Sequence, residues 1–305
     1  MLLDRGADPN LCTKDGSSAV IVASNRGYSS IVSLLIQNGA KLDAAKDGTT
    51  ALMCACTHGF KDVAFLLLDA SIEMDAKNSK GWTSLMLAAE KGCYQILCRL
   101  IKMGANVNAH STDARWTSLM SASSNGFTDI AEALISAGAV VNAQQGGGWS
   151  ALMIAVQAGQ TSIVRLLLQH GAVIFDRKEQ ILCDATKAQL SEVPDGALPI
   201  IGATLGGHAE IVSLLLEHGA KTTTTTSAGK TPLMLAAISG NKACLEVLIR
   251  RGAAVPVYGD FGYTVSRICW VRVRTLLGAG GDVKMIDAAV PQKKPIASKL
   301  ARKAD

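Results

Sequence analysis

One recurring interval constrains this chain more than anything else in it. Candidate helix starts fall at Ser18, Thr50, Thr83, Thr117, Ser150, Leu198 and Thr231, spaced 32, 33, 34, 33, 48 and 33 residues apart. Each is followed after 9 residues by a glycine: Gly27, Gly59, Gly92, Gly126, Gly159, Gly207 and Gly240. After 12 more residues comes a second break, at Gly39, Ser71, Gly104, Gly138, Gly171, Gly219 and Gly252. All variation in length therefore lies between the end of one unit and the start of the next. Packed helices lose register when their length changes, whereas a projecting loop does not, so the fixed part is helical and stacked and the variable part projects. Self-similarity at this period indicates short supersecondary units stacked into a solenoid.

The stretch Gly81 to Ala109, GWTSLMLAAEKGCYQILCRLIKMGANVNA, shows the unit at its clearest. Thr83 is the expected N-cap of a helix over 84–90, because its hydroxyl can take up an N–H of the first turn. Gly92 ends that helix. A second helix is expected over about 94–102, where Ile96, Leu97, Leu100 and Ile101 form one apolar stripe. It stops at Gly104, where a left-handed cap needs no Cβ. Neither helix is long enough to be stable alone in water, so each unit depends on its neighbours.

These residues carry a resemblance. Thr231-Pro232-Leu233-Met234-x-Ala236-Ala237, the leucine runs ending in Gly-Ala (Leu34 to Ala40, Leu167 to Ala172, Leu215 to Ala220) and Asn108-Ala109 resemble ankyrin repeats over roughly residues 1 to 283. The tetratricopeptide signature Trp-x-x-Leu-Gly-x-x-Tyr is absent from every unit. Where that family usually has His after Thr-Pro-Leu, this chain has Met53, Met86, Met120, Met153 and Met234. A thioether is a poor acceptor, so packing must do what the imidazole does elsewhere. The resemblance implies an all-α ankyrin-repeat solenoid of stacked helix-turn-helix units with β-hairpin arms. It further implies that the arms and first helices line a concave face that holds partner proteins without catalysis.

The expected organisation is one continuous solenoid over residues 1–283 followed by a basic, disordered tail over 284–305. Residues 1–15 read as a partial repeat that begins within a second helix, and the expectation is that the natural protein carries residues before Met1. About 15 residues are inserted after Gly171, within 176–195. Ile181, Leu182, Ala185, Ala188 and Val193 there suggest an amphipathic helix, either patching a gap or contacting a partner. Residues 262–283 read as a degenerate C-terminal cap.

Composition excludes several functions. No run of 18 apolar residues exists, so no membrane span is expected. The eight cysteines form no Cys-x-x-Cys pair, and with no Asn-x-Ser/Thr site this suits a reducing compartment, cytoplasmic with the nucleus as the alternative. The net charge of +5 is local: residues 250–305 hold 11 Lys and Arg against 4 acids, leaving the rest near −2 by difference. Only a few of those cations cluster, in the tail from Lys284 to Lys303, with no aromatic among them, so nucleic-acid binding is not expected. Gly229-Lys230-Thr231 mimics the end of a phosphate-binding loop, but Thr224 stands where the motif needs glycine. Cys54, Cys56 and His58 tempt a zinc reading, yet on one helix Cys56 points away from the other two. No metal, cofactor, small-molecule substrate or catalytic residue is expected.

The candidate site is an edge. The residue before each helix start is Ser17, Thr49, Trp82, Trp116, Trp149, Ala197 and Lys230, with Tyr263 at the same place before Thr264 in the degenerate cap, so three consecutive units offer tryptophan at one place. Trp82, Trp116 and Trp149, with Lys80, Arg115 and Gln145 on the arms and Lys230 and Tyr263 further on, are the expected partner-binding residues. Two readings stay open for the tryptophans, partner contact or packing over the neighbouring arm. Arg99, standing where other units have Leu34, Leu66 or Leu166, is expected to snorkel from a groove edge. The expected function is a monomeric, non-catalytic scaffold or adaptor for a partner protein. The alternative is a regulatory or substrate-recruiting region of a larger enzyme or channel.

Overall fold

The computed structural model describes residues 3–14, 16–42, 45, 47–70, 72–174, 198–254, 271, 273 and 275. The chain divides into two compact units, Met1–Val173 with Ser191–Val193, and Ile174–Leu190 with Pro194–Asp305. The first begins with a 3-10 turn, Leu3–Arg5, and continues with α1 (Ala19–Asn25), α2 (Ser29–Gln37), α3 (Ala51–His58), α4 (Lys61–Asp69), α5 (Ser84–Glu90), α6 (Tyr94–Lys102), α7 (Ser118–Asn125), α8 (Thr128–Ser136), α9 (Ala151–Gln157) and α10 (Thr161–Gln169). The second holds α11 (Pro199–Leu205), α12 (Ala209–Glu217), α13 (Pro232–Ser239) and α14 (Lys242–Arg250). The helices expected over 84–90 and 94–102 are present with those bounds. The 176–195 insertion, the 284–305 tail and Tyr263 lie outside the described residues, and of the 262–283 cap only Val271, Val273 and Thr275 are described, all helical.

The helix starts form for the reason the spacing implies. The hydroxyls of Thr50, Thr83, Thr117, Ser150 and Thr231 accept from the backbone N–H three residues on, at 3.1–3.4 Å. In every case that N–H belongs to one of the repeat methionines. Their side chains are buried at 0–3 % exposure, so the sulfur fills core space while the main chain takes the polar contact. Leu198 has no hydroxyl, and there Pro199 occupies the first helical turn, where a missing N–H costs nothing.

Within the first unit, α1, α3, α5, α7 and α9 pack side by side in that order, and α2, α4, α6, α8 and α10 form the parallel second row. The core between the rows is Leu, Ile, Val and Ala, with Leu52, Leu85, Leu97, Leu100, Leu119 and Ile130 at most 2 % exposed. The row spacing is set at the turn between the paired helices. Gly92 has φ +74°, and a Cβ there would meet the Phe127 ring of the following unit at 2.8 Å. Gly104, at the end of the second helix, has φ +91° but faces open space.

The arms differ from the β-hairpins expected. Among the described residues no strand is present, only single antiparallel bridges at Cys12–Ser18, His110–Thr117 and Gln144–Ser150. Each arm closes so tightly, as in Asn78 N–H to Trp82 C=O (3.1 Å) and Gln145 N–H to Trp149 C=O (3.0 Å), that no length remains for a ladder. Consecutive arms are joined instead at their tips, by Ser79 N–H to Asp47 C=O, Thr112 N–H to Lys80 C=O and Gly146 N–H to Ala114 C=O, at 2.7–3.1 Å. The opposite ends of the units are clamped by amides. Asn108 accepts from Val140 N–H (2.9 Å) and donates to Gly138 C=O (3.1 Å), and Asn142 does the same with Val173 and Gly171 at 2.9 and 3.0 Å.

The two glycines are expected to respond differently to substitution. Gly92→Ala combines a left-handed residue with a displaced aromatic ring and should cost about 2–4 kcal/mol, whereas Gly104→Ala should cost only about 1–2 kcal/mol. Urea unfolding of both variants checks this, and equal losses would show that the ring contact does not set the spacing.

Candidate interaction surface

The three tryptophans occupy one register but not one environment. All are half-buried. The Trp116 Nε1–H donates to Ser121 Oγ at 2.9 Å, which lays this ring against its own first helix, α7. Five residues after Trp82 and Trp149 stand Leu87 and Ile154, which offer no side-chain acceptor. Among the described residues no hydrogen bond is formed by the ring N–H of Trp82 or Trp149. The Trp116 donor is thus taken up by Ser121, while those of its two neighbours meet no acceptor among the described residues.

Beside them the arm tips carry cations. Gly48, Gly81, Gly148 and Gly229 all have φ between +73° and +78°, and at the corresponding place stands Arg115 with φ +53°. It is the only non-glycine with positive φ among the described residues. Arg115 and Lys80 are exposed and form no ion pair among those residues. Asp113, two residues before Arg115, is exposed and bonded within its own arm. The Ser111 hydroxyl, with the Ala114 N–H and more weakly the Lys80 charge, holds its carboxyl below the usual carboxylate range. A methyl added to Gly147 would meet the Trp149 ring at 3.7 Å and the Gln145 amide at 3.8 Å, so ring and amide share one side of that tip.

In the second unit Lys230 holds the equivalent place. Its N–H donates to Thr226 Oγ1 (3.0 Å), and its C=O accepts from Thr226 N–H (3.0 Å). Gly229-Lys230-Thr231 thus closes an arm and caps α13.

Sequence reading did not single out the same register at the start of the first unit. There Ser17 and Thr49 stand in place of tryptophan, and an open groove of about 590 Å³ is lined by Ser17, Val22, Arg26, Asp47, Thr49 and Cys54 among others. Val22 is 49 % exposed, against 8 % for its counterpart Ile154. The Asp47 carboxylate holds Thr49 through its N–H and hydroxyl at 2.9 and 2.8 Å. The signal was available: a small residue before the cap, followed five positions on by an aliphatic one.

The remaining candidates disperse. His58 Nε2 lies 3.0 Å from Asn25 Oδ1 and its ring stacks on Phe60, while Cys56 is fully buried. Among the described residues no three His, Cys, Asp or Glu gather in a way that would hold a metal. On the second-helix row, Arg99 pairs with Asp69 (2.7 Å) and lies over the Phe65 ring at 5.9 Å, so it is anchored across α4 rather than extended into solvent. Its Nε is buried without a partner, the cost of placing a guanidinium where leucine fits.

A match to known proteins comes from the family level. A family model described as ankyrin repeats (3 copies) matches residues 1–78, 85–178 and 176–258. The search of curated proteins found no match. Among the described residues no helix is long and apolar enough to cross a membrane.

Two outcomes test this geometry. Arg115→Gly relieves a left-handed side chain at the expense of a looser unfolded chain, and should raise stability by about 0.5–1 kcal/mol in urea unfolding. A fall would show that the Arg115 side chain makes stabilising contacts. Burial, with the Asp47 charge adding, pushes the Cys54 thiol up to about 11, and burial pushes Cys56 up as well. Both buried thiols stay protonated at pH 8, so iodoacetamide should label exposed Cys12 well before Cys54 or Cys56 in peptide mapping.

Proposed function

The chain belongs to the ankyrin-repeat family, and on that premise we propose that it is a non-catalytic scaffold or adaptor that grips a partner protein along the arm-tip edge of its first unit. The family's members are generally protein-interaction modules. The observation that carries the reading is the pairing of Trp82 and Trp149, whose ring N–H donors meet no acceptor among the described residues, with Lys80 and Arg115 on neighbouring arms, cations with no ion pair among those residues. Half-buried indoles offer large rigid area at low entropic cost, and Trp and Arg are the residue types most often found as interface anchors. Gln145 adds an amide at the Trp149 tip, and Lys230 offers the corresponding cation in the second unit. Trp116 contributes by holding its arm in place. The strain at Arg115 supports the reading, since backbone strain clusters at functional positions. The six described cysteines are free thiols, which supports a cytoplasmic setting.

The test compares the Trp82→Ala/Trp149→Ala double variant with Trp116→Ala, each checked by circular dichroism, in affinity capture with quantitative mass spectrometry. The double variant is expected to keep its helix content and to lose its partners tenfold or more, as roughly 2 kcal/mol per interface anchor requires. Trp116→Ala is expected to lower the melting temperature, with partner loss following the loss of fold. Full retention of partners by a folded double variant would remove the edge from the function.

A further inference from the structure

We propose that the groove at Ser17, Val22 and Arg26 is a socket for one aromatic side chain of a partner protein, seated where the chain's own tryptophans sit in later units. The inference rests on the protein-binding reading and adds to it the chemistry of one contact.

The molecule itself shows what this register holds. Trp82, Trp116 and Trp149 immediately precede the caps of α5, α7 and α9, and the bond from Trp116 to Ser121 shows that a ring so placed reaches the residue five positions on. In the first repeat the pair is Ser17 and Val22. Serine cannot cover a valine at that distance, and Val22 stays 49 % exposed while Ile154, behind Trp149, is 8 % exposed. Lys230 stands in the same place ahead of Leu235, which is 7 % exposed. The next arm does not fill the gap either, since its residue at this register is Thr49, tied to Asp47. What remains is an open apolar floor of Val22 and Ile21 with the protonated Cys54 thiol beside it.

The rim favours an aromatic occupant over an aliphatic one. Arg26, the C-cap of α1, lines the groove, is exposed, and forms no ion pair or side-chain hydrogen bond among the described residues. A guanidinium with no committed partner is drawn to the face of an aromatic ring, and to an indole most strongly. Asp47 is committed to its own turn, and Asn25 to His58. Arg26 is thus the polar group free to close over a ring lying on Val22.

The experiment is a methyl-resolved NMR titration of the whole chain with N-acetyl-tryptophanamide, with N-acetyl-alaninamide as control. Saturable shifts are expected at the methyls of Val22 and Ile21 with the tryptophan probe only. Ser17→Trp, which fills the socket from within, should reduce those shifts at least tenfold and raise the melting temperature. Should Ser17→Trp fail to fold, Val22→Ser at an already exposed position should weaken the probe comparably. Absence of a saturable shift at Val22 in the natural chain, or unchanged probe binding in the folded variants, overturns the proposal. Failure here with partners still lost on Trp82→Ala/Trp149→Ala removes only the socket. Binding of the probe with no partner dependent on those tryptophans removes only the edge reading.

Discussion

At three of the turns between paired helices in the first unit, those at Gly27, Gly92 and Gly126, there is no room for a side chain, and the spacing of the repeats there follows from that. At Gly92 the backbone is left-handed and its open side is filled by Phe127 of the next repeat. The same approach recurs at Gly27 against Phe60 and at Gly126 against Gln160, each near enough that a Cβ would collide. One residue thus fixes both the direction in which the second helix leaves and the distance to the next pair. Because helix lengths and glycine positions are locked to this contact, variation collects in the arms. The arms are the part that can evolve a binding edge without disturbing the core.

The arms take their stiffness from backbone bonds between successive tips and from side-chain bonds within each turn, such as Asn78 accepting from Trp82 N–H and Ser111 from Trp116 N–H, not from strand ladders. A ladder would have alternated side chains between two faces. A tight closed turn instead presents the residue before the helix cap in the same way in every repeat. What sits five residues later then decides its role. Serine at 121 accepts the Trp116 N–H, leucine and isoleucine at 87 and 154 offer the rings before them no acceptor, and valine at 22, five residues after Ser17, is exposed. A ring bonded to its own helix, rings with no acceptor beside them and an exposed valine are three outcomes of one register.

Much of the fold was legible. The helix over 84–90 and the one expected over about 94–102 are both present, because Thr83 caps the first, an apolar stripe marks the second and a glycine follows each. The burial of Met53, Met86, Met120, Met153 and Met234 followed from a thioether's weak polarity. The β-hairpin arms were overstated, since the resemblance supplied the hairpin and the turn length reduces it to single bridges. Arg99 leaves the groove edge as its place in the repeat implies, and Asp69 and Phe65 on the neighbouring helix hold it there. Both partners lie 30 or more residues away in the chain, beyond the reach of local pattern.

Sequence alone determined the repeat, its helices, its caps and the identity of the side chains at the edge, because those depend on contacts within one turn or at one fixed period. Only the tertiary structure decided which of three identical tryptophans is bound to its own helix, that Arg115 carries a left-handed backbone where other arms use glycine, and that Ser17 leaves a groove open. Those outcomes turn on whether a donor meets an acceptor across packed elements, and on how closely neighbouring arms approach. Residue type and spacing fix which groups are present, but the distances that pair them arise only when the repeats stack.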